Sequence, residues 1–378
     1  MKHMTMKTLL AALFLLSGST AVMATAAQTD STQVETDHAL LRKMVKDDSP
    51  EWVKDLTSRF TFYGYMQGGY EWNDKDGTNA NSFNFKRAIV WVNARITDRW
   101  SFRYMHNFAG GPLEFYMDYR ITKSSALNVR VGQFKNALTL ENPMSPSALE
   151  LVDVNSQIVT YLAGCSDPIS GLTSGRDLGL KIFGDLFNGH FYYEAAVMNG
   201  SGMNRLDDNR QKDYLLHLEY RPIEGLRFVA SGQLGTGHAR GTAAWNPDIQ
   251  IGDNYRRDRY SFGAEYKFGQ YGKTKLMAAR PISLRAEWVG GRDGDVGNRG
   301  GYLTVCVPVW NGIDIIASGD YIDYNTSVKG WHQTNATIGL QYWILKKCRL
   351  QLQYTHAFCG EFRGEDYNRI QAQLQVGF

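Results

Sequence analysis

At 378 residues the chain exceeds one ordinary domain, and its 43% hydrophobic and 13% aromatic residues, with 38 glycines against 9 prolines, fit an aromatic-rich protein of many turns. A formal net charge of +3 from 41 basic and 38 acidic residues gives no concentrated basic face, which excludes a nucleic-acid binder. The mean hydropathy of -0.37 excludes a bundle of membrane helices but not a barrel, which spans lipid with only alternate residues apolar.

Lys2 and Lys7 precede an apolar run over 9–16, and small residues lead to Ala24-Thr25-Ala26. That order of charged, apolar and small residues predicts a signal peptide over 1–26, and hence export. No cysteine follows the cleavage position, and no later run is long and apolar enough for a transmembrane helix. Residues 27–58 are polar, with helix-like pieces over 37–46 and 49–56, the second capped by Ser49 with Pro50 at its first position. They read as a periplasmic lead-in to a unit spanning 59–378.

From residue 60 the apolar positions recur with period two, the spacing of strands with one apolar and one polar face. Ala88, Val90, Val92, Ala94 and Ile96 share a face opposite Arg87, Trp91, Asn93 and Arg95. Leu113, Phe115, Met117, Tyr119 and Ile121 oppose Glu114, Tyr116, Asp118 and Arg120, and Leu127, Val129 and Val131 oppose Asn128 and Arg130. About forty residues without clean alternation follow, over 135–175. Strands resume over 177–184, 190–198, 213–220, 226–235, 259–268, 282–290, 302–310, 313–321, 333–342 and 349–358. The last strand, 368–378, sets Ile370, Ala372, Leu374, Val376 and Phe378 against Arg369, Gln371, Gln373, Gln375 and Gly377.

With the strands over 60–72 and 100–107, these segments make sixteen, an even number as in bacterial single-chain barrels and wide enough for a water-filled lumen. The connections alternate short turns with longer loops as such a barrel requires, the exceptions being the short outer loop 109–112 and the long inner turn 269–281. The stretch 291–300, rich in glycine and acidic residues, is expected to be one of the long outer loops. Aromatic residues near strand ends, among them Tyr63, Trp72, Trp100, Trp343 and Phe378, suit the two membrane interfaces. The fold expected is all-β, a transmembrane antiparallel barrel of sixteen strands in the outer membrane of a Gram-negative bacterium. Cys165, Cys306, Cys348 and Cys359 are read as small apolar fillers or isolated thiols, with a bridge among them left open. Cys348 and Cys359 end one strand and would stand ~36 Å apart at ~3.3 Å per residue, too far to pair.

Several stretches resemble the phosphate-selective porin O and P family: Phe85-Lys86-Arg87-Ala88, Val131-Gly132-Gln133-Phe134-Lys135 with Leu140-Glu141, Arg176-Asp177-Leu178-Gly179, Tyr193 with Asn199-Gly200, Ala286-Glu287-Trp288 and Gly301-Tyr302. The resemblance runs from about residue 60 to the end. It implies a homotrimeric porin whose third outer loop, here 135–175, folds inward to narrow the lumen, and it implies a preference for anions such as phosphate.

Selectivity of that kind needs clustered cations at the constriction, because a narrow passage amplifies fixed charge. The loop instead carries Lys135 against Glu141, Glu150, Asp153 and Asp167. The expected inner wall supplies Arg87, Arg95, Arg103, Arg120, Arg130, Lys181, Arg227 and Arg285 beside Glu114, Asp118, Glu194, Glu219, Glu265 and Glu287, a mixed lining. Arg87, Arg103, Arg120, Arg130 and Lys181 are the candidate cationic side of the pore, with Lys135, Arg227, Glu114 and Asp118 also lining it. Glu141, Glu150 and Asp153 are the candidate acidic side on the loop. Dispersed histidines, the lack of a G-x-S-x-G elbow and acidic loops without full calcium spacing offer no catalytic, cofactor or metal site. The function expected is passive diffusion of small hydrophilic solutes or anions, with outer-membrane lipid around the barrel. The alternatives are a non-conducting barrel serving surface interaction or assembly and a soluble secreted β protein.

Overall fold

The computed structural model describes residues 51, 58–75, 77, 81–171, 173–273 and 279–378. The chain divides into two units, Met1–Arg59 and Phe60–Phe378. The expected signal peptide and nearly all of the lead-in lie outside the described residues.

The second unit is one antiparallel barrel. Its first strands are β1 (Phe60–Asn73), β2 (Asn81–Arg95), β3 (Trp100–Asn107), β4 (Gly111–Arg120) and β5 (Asn128–Lys135). A helix, α1 (Gln157–Leu162), precedes β6 (Arg176–Leu186), β7 (Phe191–Met198), β8 (Asp213–Ile223), β9 (Leu226–Leu234) and the three-residue β10 (Thr236–His238). Then come β11 (Asn254–Tyr271), β12 (Arg280–Asp293), β13 (Val296–Trp310), β14 (Ile313–Asp323), β15 (His332–Leu345), β16 (Cys348–Cys359) and β17 (Tyr367–Gly377). Consecutive strands pair, with β9 passing to β11, and β17 returns to β1 with Gln67 opposite Gln375. Leaving β10 aside, sixteen strands close the barrel, as the periodicity predicts. Closure leaves no edge, so every wall strand has a partner on each side.

The two faces are inverted relative to a soluble barrel. Along β16, Leu350, Leu352 and Tyr354 are 42–53% exposed, while Arg349, Gln351, Gln353 and Thr355 between them are at most 3% exposed. The closing strand repeats this, with Ile370 and Leu374 outward and Gln371, Gln373 and Gln375 buried. An apolar outer surface with a polar inner one is stable in hydrocarbon and unstable in water.

Three details bear on how faces and loops are read from the sequence. At β1–β2 the pairing moves from Gln67 opposite Arg87 to Gly68 opposite Phe85, so Lys86 is an extra residue. A bulge lets two successive side chains share a face, and Lys86 and Arg87 both find inner partners, Asp153 and Gln67. At β3–β4 Leu113 is the extra residue. It is not outward, as the alternation suggests, but buried like Glu114 beside it, packing with Tyr65 and Ile89. The third is 291–300, which is not a loop. Strands β12 and β13 stay paired to Asp293 opposite Val296, and Gly294, at φ +61°, takes the tight turn. Glycines in that stretch serve close approach instead. A Cβ on Gly300 would meet the Tyr321 carbonyl at 2.1 Å and Ile158 of α1 at 3.0 Å.

The apolar core does not lie between strands. It joins Leu138, Ile158, Tyr161 and Ile169 of segment 136–175 and Trp245 and Ile249 of segment 235–253 to buried residues such as Phe134, Val289 and Tyr324. Leu352→Arg places a cation on the outer face near the middle of β16 and should cost about 2–4 kcal/mol of folding into lipid. The denaturant midpoint of protein folded into phosphatidylcholine vesicles measures this, and an unchanged midpoint would contradict the assignment of faces.

Candidate permeation pathway

Period-two strands direct every second side chain inward, and there the sequence supplies charge. Most of these charges are mated with an opposite charge, and the others with amides or carbonyls. On β4 and β5, Arg130 grips Asp118 through two bonds of 2.7 and 2.9 Å and lies 3.6 Å from the Tyr116 ring centre. Glu114 bridges Arg103 at 3.5 Å and Arg176 at 3.0 Å. Lys181 on β6 meets Glu194 on β7 at 2.6 Å, both nearly inaccessible. Arg227 reaches Glu219 and Glu265, each at 2.9 Å. Cross-strand pairs of this kind are the sheet's ordinary side-chain contacts, and burial makes each partner costly to remove.

Segment 136–175 is fastened to the same face. Arg285, 1% exposed, joins Glu150 at 2.6 Å, Glu265 at 3.2 Å and Glu141 at 3.4 Å. Glu287 accepts the Leu140 amide at 2.7 Å. Arg349 donates to the Leu149 carbonyl at 2.7 Å, and Gln351 and Gln353 both donate to the Glu150 carbonyl. His217 and Ser231 contact the carbonyls of Ala137 and Leu138. Such amides and hydroxyls, buried without partners, would cost ~1–3 kcal/mol each, so the segment and the wall satisfy one another.

The residues singled out by sequence fall into three groups. Arg103, Arg130, Lys181, Arg227, Glu114, Asp118, Glu141 and Glu150 are brought together in the ion pairs above. Arg87 donates to Gln67 at 2.9 Å, and Asp153 pairs with Lys86 at 3.4 Å and Arg369 at 2.5 Å. Lys135 is occupied by the carbonyls of Asn142 and Met144 at 2.7 and 2.6 Å. Arg120 ends β4 exposed, as Arg95 ends β2, both apart from the paired cluster. Sequence reasoning missed Arg176, Arg257, Arg259, Asp213, Asp293, Arg280 and Asp314, which form further inner pairs of 2.6–3.0 Å. Arg257 and Arg259 stand at period two with Glu265, a signal that the sequence alternation shows only from Arg259 onward, while the glycines around Asp293 mark a loop as readily as a hairpin.

The model of the family described as phosphate-selective porin O and P matches residues 60–285. The chain belongs to that family. This porin is therefore an outer-membrane channel for small solutes in a Gram-negative bacterium. Among curated proteins nothing matches it. Solved structures share its fold at low identity. An anion-selective porin from Comamonas acidovorans is 12% identical with a TM-score of 0.60, covering 84% of this chain and 99% of its own. OmpT of Vibrio cholerae in its trimer form is 11% identical with a TM-score of 0.58 and the same coverage. OprB of Pseudomonas putida is 11% identical with a TM-score of 0.59, covering 88% of this chain and 98% of its own.

Glu141 is fully buried, and burial lifts its carboxyl from 4.5 to about 7 against the opposing pull of Arg285 and the Ser156 amide. Between those values the folded protein holds a proton that the unfolded chain has released, so stability falls as pH rises through that window. Glu141→Gln removes the titration, and its unfolding midpoint should rise relative to the unaltered protein on going from acid to above neutral pH. A constant offset would contradict this. Arg285→Leu leaves three buried carboxylates without their shared cation and should cost about 3–5 kcal/mol, read as the shift in denaturant midpoint. A loss below about 1 kcal/mol would mean the cluster is wetted like a surface.

Proposed function

We propose that this porin is a passive, size-limited channel with weak ion selectivity, constricted by segment 136–175 and assembled as a homotrimer. The observation that carries the reading is the mating of inner-face charge. A phosphate filter needs cations free to replace an ion's hydration, whereas Arg130, Lys181, Arg227 and Arg285 each have a carboxylate partner. Arg87, Arg103, Arg130, Lys135, Lys181, Arg227, Glu114 and Asp118 line the pore in this reading, and Glu141, Glu150 and Asp153 hold the constricting segment to the wall. Arg120 acts at most at the mouth. Hydrogen bonds from segment 136–175 to residues of β8, β9, β12 and β16 support its role as the constriction. The trimer form of the Vibrio cholerae relative supports the assembly. Residues 1–26 act as the export signal and 27–58 as the periplasmic lead-in.

The test is single-channel recording from refolded full-length protein in planar bilayers. Current steps should grow in proportion to KCl concentration and close in threes. Current that saturates at low salt would indicate a tight ion site and overturn the passive reading. Folded barrels with no current would make the chain an interaction or assembly barrel.

A further inference from the structure

A cavity of about 620 Å³ opens between segment 136–175, the inner faces of β14 to β17 and the loops carrying Trp245 and Arg363. Its chemistry differs from the ion-paired wall of β4 to β12. We infer that it binds a neutral, ring-bearing polyhydroxylated solute, a short oligosaccharide, on its way through the channel. The inference rests on the channel reading above and adds a substrate class to it.

Two kinds of surface meet in this cavity. One is uncharged and hydrogen-bonding: Asn335, Thr337, Thr355 and Gln371 line it from β15, β16 and β17, with the Thr337 and Thr355 hydroxyls 2.8 Å apart. Amides and hydroxyls each both donate and accept, which is the pattern a sugar hydroxyl presents in return. The other is aromatic. Trp245 and Tyr324 have ring centres 4.5 Å apart, and Tyr161 packs on both at 5.8 and 5.2 Å. Each ring is at most 8% exposed, so the cluster gives the cavity a rigid apolar border for the C–H edge of a pyranose and not an open stacking face.

The charges present do not select an ion. Asp153 is neutralised by Arg369 and Lys86, Asp320 accepts from Gln157 at 2.7 Å, and Arg363 lies 4.3 Å from the Tyr324 ring centre. The lining thus holds two carboxylates and two guanidiniums, a formal balance of zero. An anion at Arg369 would have to compete with Asp153, and one at Arg363 would have to draw the guanidinium off the Trp245 and Tyr324 rings, whereas a neutral solute leaves both arrangements intact. The volume lies within the roughly 300–1,000 Å³ usual for small-molecule sites.

The test uses full-length protein in planar bilayers with maltotriose and, separately, inorganic phosphate at matched ionic strength. Maltotriose should block the KCl current saturably, and phosphate should not. Asn335→Leu, and Thr337→Val with Thr355→Val, should raise the half-blocking concentration about tenfold, in barrels checked for folding by heat-dependent gel migration. Intrinsic fluorescence of the detergent-solubilised protein provides a second readout, with a maltotriose-dependent change that Trp245→Phe removes. Fluorescence binding without any current would keep the site and overturn the channel reading. Open channels that ignore maltotriose in both assays, or that phosphate blocks at lower concentration than the sugar, would overturn the inference.

Discussion

In hydrocarbon no water satisfies a backbone amide, so a sheet that crosses a bilayer must leave no edge. The pairing of β17 with β1 meets that requirement, and the rest of the molecule follows from it. Closure with antiparallel pairing at every seam fixes an even number of wall strands, and the pleat then sends alternate side chains to lipid and to the interior. The chain answers with leucine, isoleucine and aromatic residues outside and glutamine, threonine and charged residues inside.

An interior of this kind carries its own problem. Charged and amide side chains crowded into a narrow space lose hydration, and an unpaired one costs more than a surface ion pair returns. The barrel answers with reciprocal pairing across strands and with a long segment whose backbone carbonyls and acidic side chains complete the network. Arg285 shows both at once, since it ties β11 to β12 through Glu265 and holds segment 136–175 through Glu141 and Glu150. The same arrangement that stabilises the interior spends the cations a phosphate filter would require. Toward β15 to β17 the wall changes mostly to amides and hydroxyls, with Arg349 held by the Leu149 carbonyl and Arg369 by Asp153.

Much of this was legible in the sequence because period two is a strong signal when repeated sixteen times. The strand count, the short turns and the identity of the polar face could be read from Gln371, Gln373 and Gln375 and their counterparts. Bulges were not legible, since one extra residue at Lys86 or Leu113 leaves the local alternation intact on either side. The hairpin over 291–300 reads as a loop in sequence because glycine marks both a turn and a close approach of strands, and only neighbours such as Ile158 distinguish them. Partners were harder still. Arg285 could be placed inward from its strand, but Glu141 and Glu150 lie more than a hundred positions earlier in a segment without periodicity. That Lys135 is occupied by two carbonyls has no sequence signature at all.

The central claim is that inner-face charge is mated and so leaves little net field for ions. The reversal potential of the refolded channel under a KCl gradient measures that field most directly. The account predicts a small potential, far from the equilibrium value of either ion. A potential close to that of chloride, or close to that of potassium, would mean that unpaired charge governs the passage and would contradict it.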